Sequence, residues 1–256
     1  MTTSATNTDV SADLTELAPL QVGAASLGIL LTDAQLARLA TLRDMLLDWN
    51  TRVNLTAITD PAEVVTRHFL DALTCVLPLT SAQRARPLAL LDVGSGAGFP
   101  GLPLAIAFPH WTVTLLEATG KKVRFQEAVV AELGLTNVEP LQGRAEELAH
   151  NAAHRGRYDG VTARALADLS AVLEYCLPFA RVGGLVIAPK KGELAEEVAR
   201  GARAARLLGG ELRAPLLITL PGLDDGRALL VAQAQRPCPA QFPRAGGAPL
   251  KRPLGS

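Results

Sequence analysis

The spacing of apolar positions changes along the chain, and each change predicts a different kind of element. Behind the capping box 32-TDAQ, apolar residues recur near every 3.6 positions (Leu36, Leu39, Leu42, Leu46, Trp49, Val53), which predicts an amphipathic helix. A second helix is expected from 60-DPAE, with Asp60 as N-cap, Pro61 at the first helical position and Glu63 closing the box, and it should stop before Pro78. From Leu88 the runs shorten and turn β-rich: LALLDVG, TVTLLEA, NVEPLQG, YDGVTAR and GGLVIAPK alternate with helical stretches. That alternation predicts a doubly wound parallel sheet. The last two runs, APLLITL and ALLVAQA, are joined by 221-PGLDDGR, too short for a helical crossover, so they should pair antiparallel.

The expected fold class is therefore α/β: a doubly wound, seven-stranded, mostly parallel, Rossmann-like sheet with a small helical N-terminal lobe. Residues 1–30 show no clear helical period and are expected to be a disordered extension. The lobe should cover 31–85, the sheet domain 86–235, and a basic, extended Pro/Gly-rich tail 236–256.

Composition narrows the classes of function. With 256 residues, 48% of them hydrophobic, the chain can bury a full core. No uninterrupted apolar run of about 18 residues occurs and the start is polar and acidic, so a cytoplasmic protein away from membranes is expected. Cys75, Cys176 and Cys238 are far apart and odd in number, which suggests reduced thiols. His150 and His154 stand four apart without a third ligand in sight, so no metal is expected. A formal net charge of zero argues against binding nucleic acid by bulk charge alone. The distribution is uneven, however: the first 37 residues carry four acids and no Lys or Arg, whereas Arg236 to Ser256 carries four bases and no acid.

The candidate chemistry centres on 90-LLDVGSGAGFPG, the first strand-to-helix turn of the expected sheet and the usual ligand cradle of an open parallel sheet. A dinucleotide site would prefer G-x-G-x-x-G. Here the glycines fall at Gly94, Gly96, Gly98 and Gly101, with Phe99 in the sixth position. Asp92 at the loop entrance disfavours phosphates and favours a positively charged ligand, for which S-adenosylmethionine, with an ammonium and a sulfonium, is the candidate. Glu117, ending the second strand, is placed to accept hydrogen bonds from ribose hydroxyls, and Ala145 and Glu146, after the third, could meet the adenine.

These blocks, together with 49-WNTRVNLT, 67-RHFLDAL, 116-LEATGKKVRF, 158-YDGVTARA, 190-KKG and 242-FPRAGGAPLKRPL, closely resemble the glucose-inhibited division protein B family over about Leu31 to Leu254. The resemblance implies a class I methyltransferase that transfers a methyl group from S-adenosylmethionine to N7 of a guanine in small-subunit ribosomal RNA. It also implies cofactor contacts at Gly94, Phe99, Glu117, Ala118, Thr119, Ala145, Glu146 and Arg164. Guanine N7 is an unprotonated lone pair, so no general base is expected. The fourth strand carries TARA where amino methyltransferases usually carry an (N/D)PP(Y/F) motif, and Arg164 could stack on a base or donate to its O6, positioning the substrate. A small-molecule methyltransferase and a noncatalytic RNA-binding or assembly protein are the alternatives.

RNA contacts are expected from basic residues near this edge. Arg67, His68 and Asp71 share a helix face, either shaping the site or forming an Arg67–Asp71 ion pair with His68 beside it. Lys121, Lys122 and Arg124 open the helix after the second strand, where bases oppose the helix dipole and suggest phosphate positioning. Asn50 and Asn54 suit the interhelical turn for capping. Arg244, Lys251 and Arg252 in the acid-free tail suggest a clamp on the RNA backbone. The small ribosomal subunit or its RNA is the expected partner, and a monomer the expected state.

Overall fold

A computed structural model of the chain describes residues 16–220 and 225–255. Two helices open it, α1 (Ala18–Ser26) and α2 (Asp33–Asn50). The expectation of disorder is corrected over 16–30, which hold α1 and the buried Ile29, and its residues 1–15 lie outside the described residues. Leu20 and Ala24 of α1, with Leu17 just before it, are fully buried, and Glu16 pairs at 2.8 Å with Arg43, itself buried in α2. The capping box at Thr32 forms as expected, and Gln35 also reaches across to the carbonyls of Ile106 and Ala107 at 2.9 and 3.0 Å.

The second expected helix starts at Asp60, whose carboxylate accepts from the Glu63 amide at 2.9 Å, but Glu63 does not close the box and pairs instead with Arg67. It is also not uniform: α3 (Pro61–Val64) widens into a π turn (Val65–Leu70), tightens to α4 (Asp71–Leu73) and ends in a 3-10 turn (Thr74–Val76). At the end of α2, Asn50 accepts from the amides of Leu55 and Thr56 in the intervening loop at 2.8 and 3.0 Å, while Asn54 in that loop is exposed. A short helix α5 (Ser81–Arg84) leads into the sheet.

The strands are β1 (Ala89–Val93), β2 (Thr112–Glu117), β3 (Val138–Gln142), β4 (Tyr158–Thr162), β5 (Ala180–Lys191), β6 (Gly210–Leu212), β7 (Leu216–Leu217) and β8 (Arg227–Ala234). Their order is β3-β2-β1-β4-β5-β8-β6, with β7 also on β8. The first five are parallel, and β8 runs antiparallel to β5, β6 and β7. The strand expected at APLLITL shrinks to the two residues of β7, and β6, just before that run, is an eighth strand that was not expected; Pro215, which lacks an N–H, interrupts the ladder between the two on the same edge. Helices α6 (Gly101–Ala107), α7 (Gly120–Glu132), α8 (Ala145–Leu148), α9 (Leu169–Cys176) and α10 (Ala195–Leu207) complete this Rossmann-like α/β arrangement. One continuous apolar cluster runs from Leu17 in the lobe through Phe69 and Trp111 to Val231 in β8, so lobe and sheet share a core.

The tail is not extended. Arg155 donates to the carbonyls of Cys238, Pro239 and Phe242, each at 2.9 Å, and Arg244 makes three hydrogen bonds to the fully buried Glu174 of α9. A short helix α11 (Ala248–Lys251) follows, with Pro249 in its first turn, where a missing N–H costs nothing. Composition alone pointed away from both the helix and the packing; the buried carboxylate supplies what it could not show.

Candidate active site

The carboxyl ends of β1, β2 and β4 open onto a cleft of about 750 Å³. The glycine loop bends back over β2: the amides of Gly94 and Ser95 donate to the Leu116 carbonyl at 2.8 and 3.1 Å. Gly94 has φ +66° and its missing Cβ would lie 2.9 Å from Leu166, so backbone forms the cleft wall at that point. Gln126, fully buried on α7, donates to Ser95 Oγ and to the Gly96 carbonyl, both at 2.8 Å, and ties the loop to the helix. Nothing in the sequence pattern singled out Gln126; its place on the buried stripe of α7 was the available signal.

Asp92 lies beneath the loop, with no exposed surface. It accepts from the Gly101 amide at 2.9 Å and the Thr162 hydroxyl at 3.1 Å, and it does not line the cleft. Burial pushes its carboxyl up to about 7, against the opposing pull of those two hydrogen bonds and of Arg164. The expectation of a loop-entrance carboxylate facing a cationic ligand is therefore corrected: strand alternation turns Asp92 inward, where it pins the start of α6.

Glu117 does line the cleft, and both oxygens are already held, Oε2 by the Gly96 amide at 3.0 Å and Oε1 by the Thr119 amide at 2.8 Å. A carboxylate offers about four acceptor positions, so capacity for ribose hydroxyls remains. Gly94, Ala118, Ala145, Glu146 and Arg164 line the same cleft, as do Lys122 and Tyr175. Gly96, Thr119 and Phe99 do not: the first two hold Glu117, and Phe99 stacks against His68 with ring centres 4.6 Å apart.

Arg164, just past β4, borders both this cleft and a second cavity of about 480 Å³ on the lobe side. The residue after it, Ala165, has φ +53°, a left-handed conformation that a non-glycine residue adopts only under constraint. Arg164 Nη1 donates to the Arg67 carbonyl at 3.0 Å and to Asp71 Oδ2 at 2.9 Å, and Nη2 donates to His68 Nδ1 at 2.9 Å. His68 Nδ1 is thus an acceptor, so Nε2 carries the proton and donates to Thr56 Oγ1 at 2.8 Å. Burial, reinforced by the neighbouring Arg164 charge, lowers the imidazole to about 3, so the ring is neutral at physiological pH. Asp71 Oδ1 accepts from Arg227 at the start of β8.

Of the two readings of this helix face, the Arg67–Asp71 ion pair does not form. The wide π turn sends the Asp71 amide back to the Thr66 carbonyl, and Asp71 turns towards the sheet while Arg67 stays beside Glu63. Arg227 and Thr56 were not singled out from the sequence, because their roles depend on partners far away along the chain. The second cavity is basic: Arg67, Arg164, Arg227, Lys190 and Lys191 line it, against Asp71 and Glu197.

Of the other expected RNA contacts, Lys121, Arg124 and Arg252 are exposed, and Lys251 is exposed at the cleft rim. Arg244 is not available to a phosphate, because Glu174 holds its guanidinium at 2.8 and 2.7 Å. The tail supplies cleft wall instead, through Ala245, Gly246, Gly247 and Leu250. His150 contacts the Pro243 carbonyl and His154 the Tyr158 hydroxyl. Among the described residues, no group of three or more His, Cys, Asp and Glu could hold a metal ion, and no helix is long and apolar enough to cross a membrane.

Comparison with solved structures supports the fold: a mutant of MtNAS is 12% identical and superposes with a TM-score of 0.50 over 81% of this chain and 75% of that one. Sequence relatives are much closer. The ribosomal RNA small subunit methyltransferase G of Dehalococcoides mccartyi (strain CBDB1) is 46% identical over 235 residues, 92% of this chain and 98% of the relative. The protein of the same name from Alkaliphilus metalliredigens is 43% identical over 92% of this chain and 97% of its own length. The family model described as rRNA small subunit methyltransferase G matches residues 35–215, which contain the glycine loop, Glu117, Arg164 and the π turn, and the chain is accordingly a member of that family.

Proposed function

We propose that this chain transfers a methyl group from S-adenosylmethionine to N7 of a guanine in small-subunit ribosomal RNA. The observation that carries the reading is the pair of cavities meeting at Arg164, one built for a nucleoside-bearing cofactor and the other basic and open to an acceptor. The glycine wall at Gly94, the carboxylate of Glu117 and the loop at Ala145 and Glu146 fit the backbone approach, ribose and adenine of that cofactor. When bound, the cofactor supplies an electrophilic methyl group on a sulfonium.

The protein's own share is positioning. N7 attacks with a lone pair, so no residue has to remove a proton, and none in the second cavity is placed as a free base: Asp71 is engaged by two arginines and Glu197 by Lys190. Arg164 keeps its Nε–H outside the hydrogen bonds it makes among the described residues, and can donate it to guanine O6 while leaving N7 open to attack. Arg67 at the second cavity and Lys251 at the cleft rim, with the exposed Lys121, Arg124 and Arg252, supply phosphate contacts, and the reaction takes place in the cytoplasm, where the small subunit is made.

The test offers a tritiated methyl donor with free ribosomal RNA and with small subunits from cells lacking the enzyme, then applies borohydride reduction and aniline. Strand cleavage at one labelled guanine is the expected result. Labelled RNA that resists cleavage would move the chemistry to another atom, and label in small molecules alone would favour the metabolite reading.

A further inference from the structure

We propose that Asp71 is a positioning residue for methyl transfer, fixing Arg164 through one oxygen and Arg227 through the other at the junction of the two cavities. The inference rests on the acceptor entering the second cavity. Its starting point is a placement that the helix would not have without its π turn. A regular α-helix would spend the Arg67 carbonyl on the Asp71 amide; here that amide goes back to Thr66, and the carbonyl accepts from Arg164 at 3.0 Å. Three acceptors from one turn of the lobe, the Arg67 carbonyl, His68 Nδ1 and Asp71 Oδ2, therefore grip a guanidinium that comes from the far side of the site.

Asp71 is only 6% exposed. A buried carboxylate between two arginines is a poor device for stability, since desolvation offsets much of the attraction, but it fixes direction well. Arg227 Nε lies 2.8 Å from Asp225 without hydrogen-bond alignment, so Asp71 is its directional partner. Phe99 supports the arrangement from below, stacked on His68 and lying 5.5 Å from the Arg164 guanidinium carbon. The lobe thus sets the orientation of a guanidinium carried by the sheet domain, and the cofactor cleft owes nothing to Asp71 directly.

The experiment is a double-variant cycle on unmethylated small subunits with saturating cofactor, reading kcat and KM for Asp71→Asn, His68→Ala, Arg164→Ala and the two doubles that include Arg164→Ala, with cofactor Kd measured separately. Asp71→Asn and His68→Ala should each lower kcat by about 10- to 100-fold, the scale of a misplaced reacting group, while cofactor Kd stays within about twofold. In the Arg164→Ala background the same changes should cost less than about twofold more in kcat. Equal losses with and without Arg164 would overturn the proposal, as would losses confined to cofactor Kd. If Asp71→Asn proves unfolded by circular dichroism, Asp71→Glu, which keeps the charge and displaces the carboxylate, is read in its place, with the same expected loss and the same dependence on Arg164. A wild-type protein that binds cofactor and labels no RNA would instead overturn the underlying functional reading.

Discussion

Replacing Asp92 by Asn should change how stability depends on pH. Asp92 is fully buried, and its carboxyl is raised from 3.8 to about 7, so the folded state holds a proton that the unfolded chain has released. Its contribution is complete below the unfolded value and is lost as pH rises from about 4 to about 7, at roughly 1.4 kcal/mol per pH unit and about 4 kcal/mol in all. His68 acts in the opposite direction. Its folded value is lowered from 6.5 to about 3, so its contribution is complete above the unfolded value and is lost as pH falls through that window, by about 5 kcal/mol. Between about pH 4 and 6.5 the two slopes largely cancel in the wild type. Asparagine keeps an acceptor for the Gly101 amide and a donor for Thr162 and does not titrate. The stability of Asp92→Asn relative to wild type should therefore rise by about 4 kcal/mol between pH 4 and 7. Denaturant unfolding of both proteins in half-unit pH steps, with equal m-values, reads that difference directly. A difference that is flat across the range would refute the assignment of a raised carboxyl to Asp92.

Two further outcomes can be checked on the isolated protein. Glu117→Ala should weaken S-adenosylmethionine binding by about 1.5–3 kcal/mol, and Gly94→Val should abolish it by forcing a side chain into a left-handed position against Leu166; titration calorimetry measures both, and wild-type affinity in either would remove the cofactor from this cleft. Arg244→Ala should cost about 3–5 kcal/mol of stability by stranding the buried Glu174, whereas Lys251→Ala with Arg252→Ala should leave Tm alone and flatten the log–log salt dependence of RNA binding by about 0.7–0.9 per contact; an unchanged Tm for Arg244→Ala would restore the clamp.

The sequence by itself determined the features set by near neighbours in the chain. The period of Leu36 to Val53 made α2, Thr32 and Gln35 closed its cap, and alternating β-rich and helical runs dictated a parallel sheet, because each of these depends on bonds within a few residues. The glycine loop and Glu117 were legible for the same reason, one being a local turn and the other a strand end. Everything decided by facing was not. Asp92 and Gly94 are two residues apart, yet one is sealed in the core and the other walls the cleft. The helix at Asp60 was correctly begun, but its π turn, which frees the Arg67 carbonyl for Arg164, 97 residues further along the chain, was not legible in the local pattern. Arg244 read as a free cation until Glu174, 70 residues earlier, closed on it. Periodicity reports which residues are buried. Only the packed fold decides which buried charges meet, since a carboxylate taken from water must find its cations wherever the chain brings them.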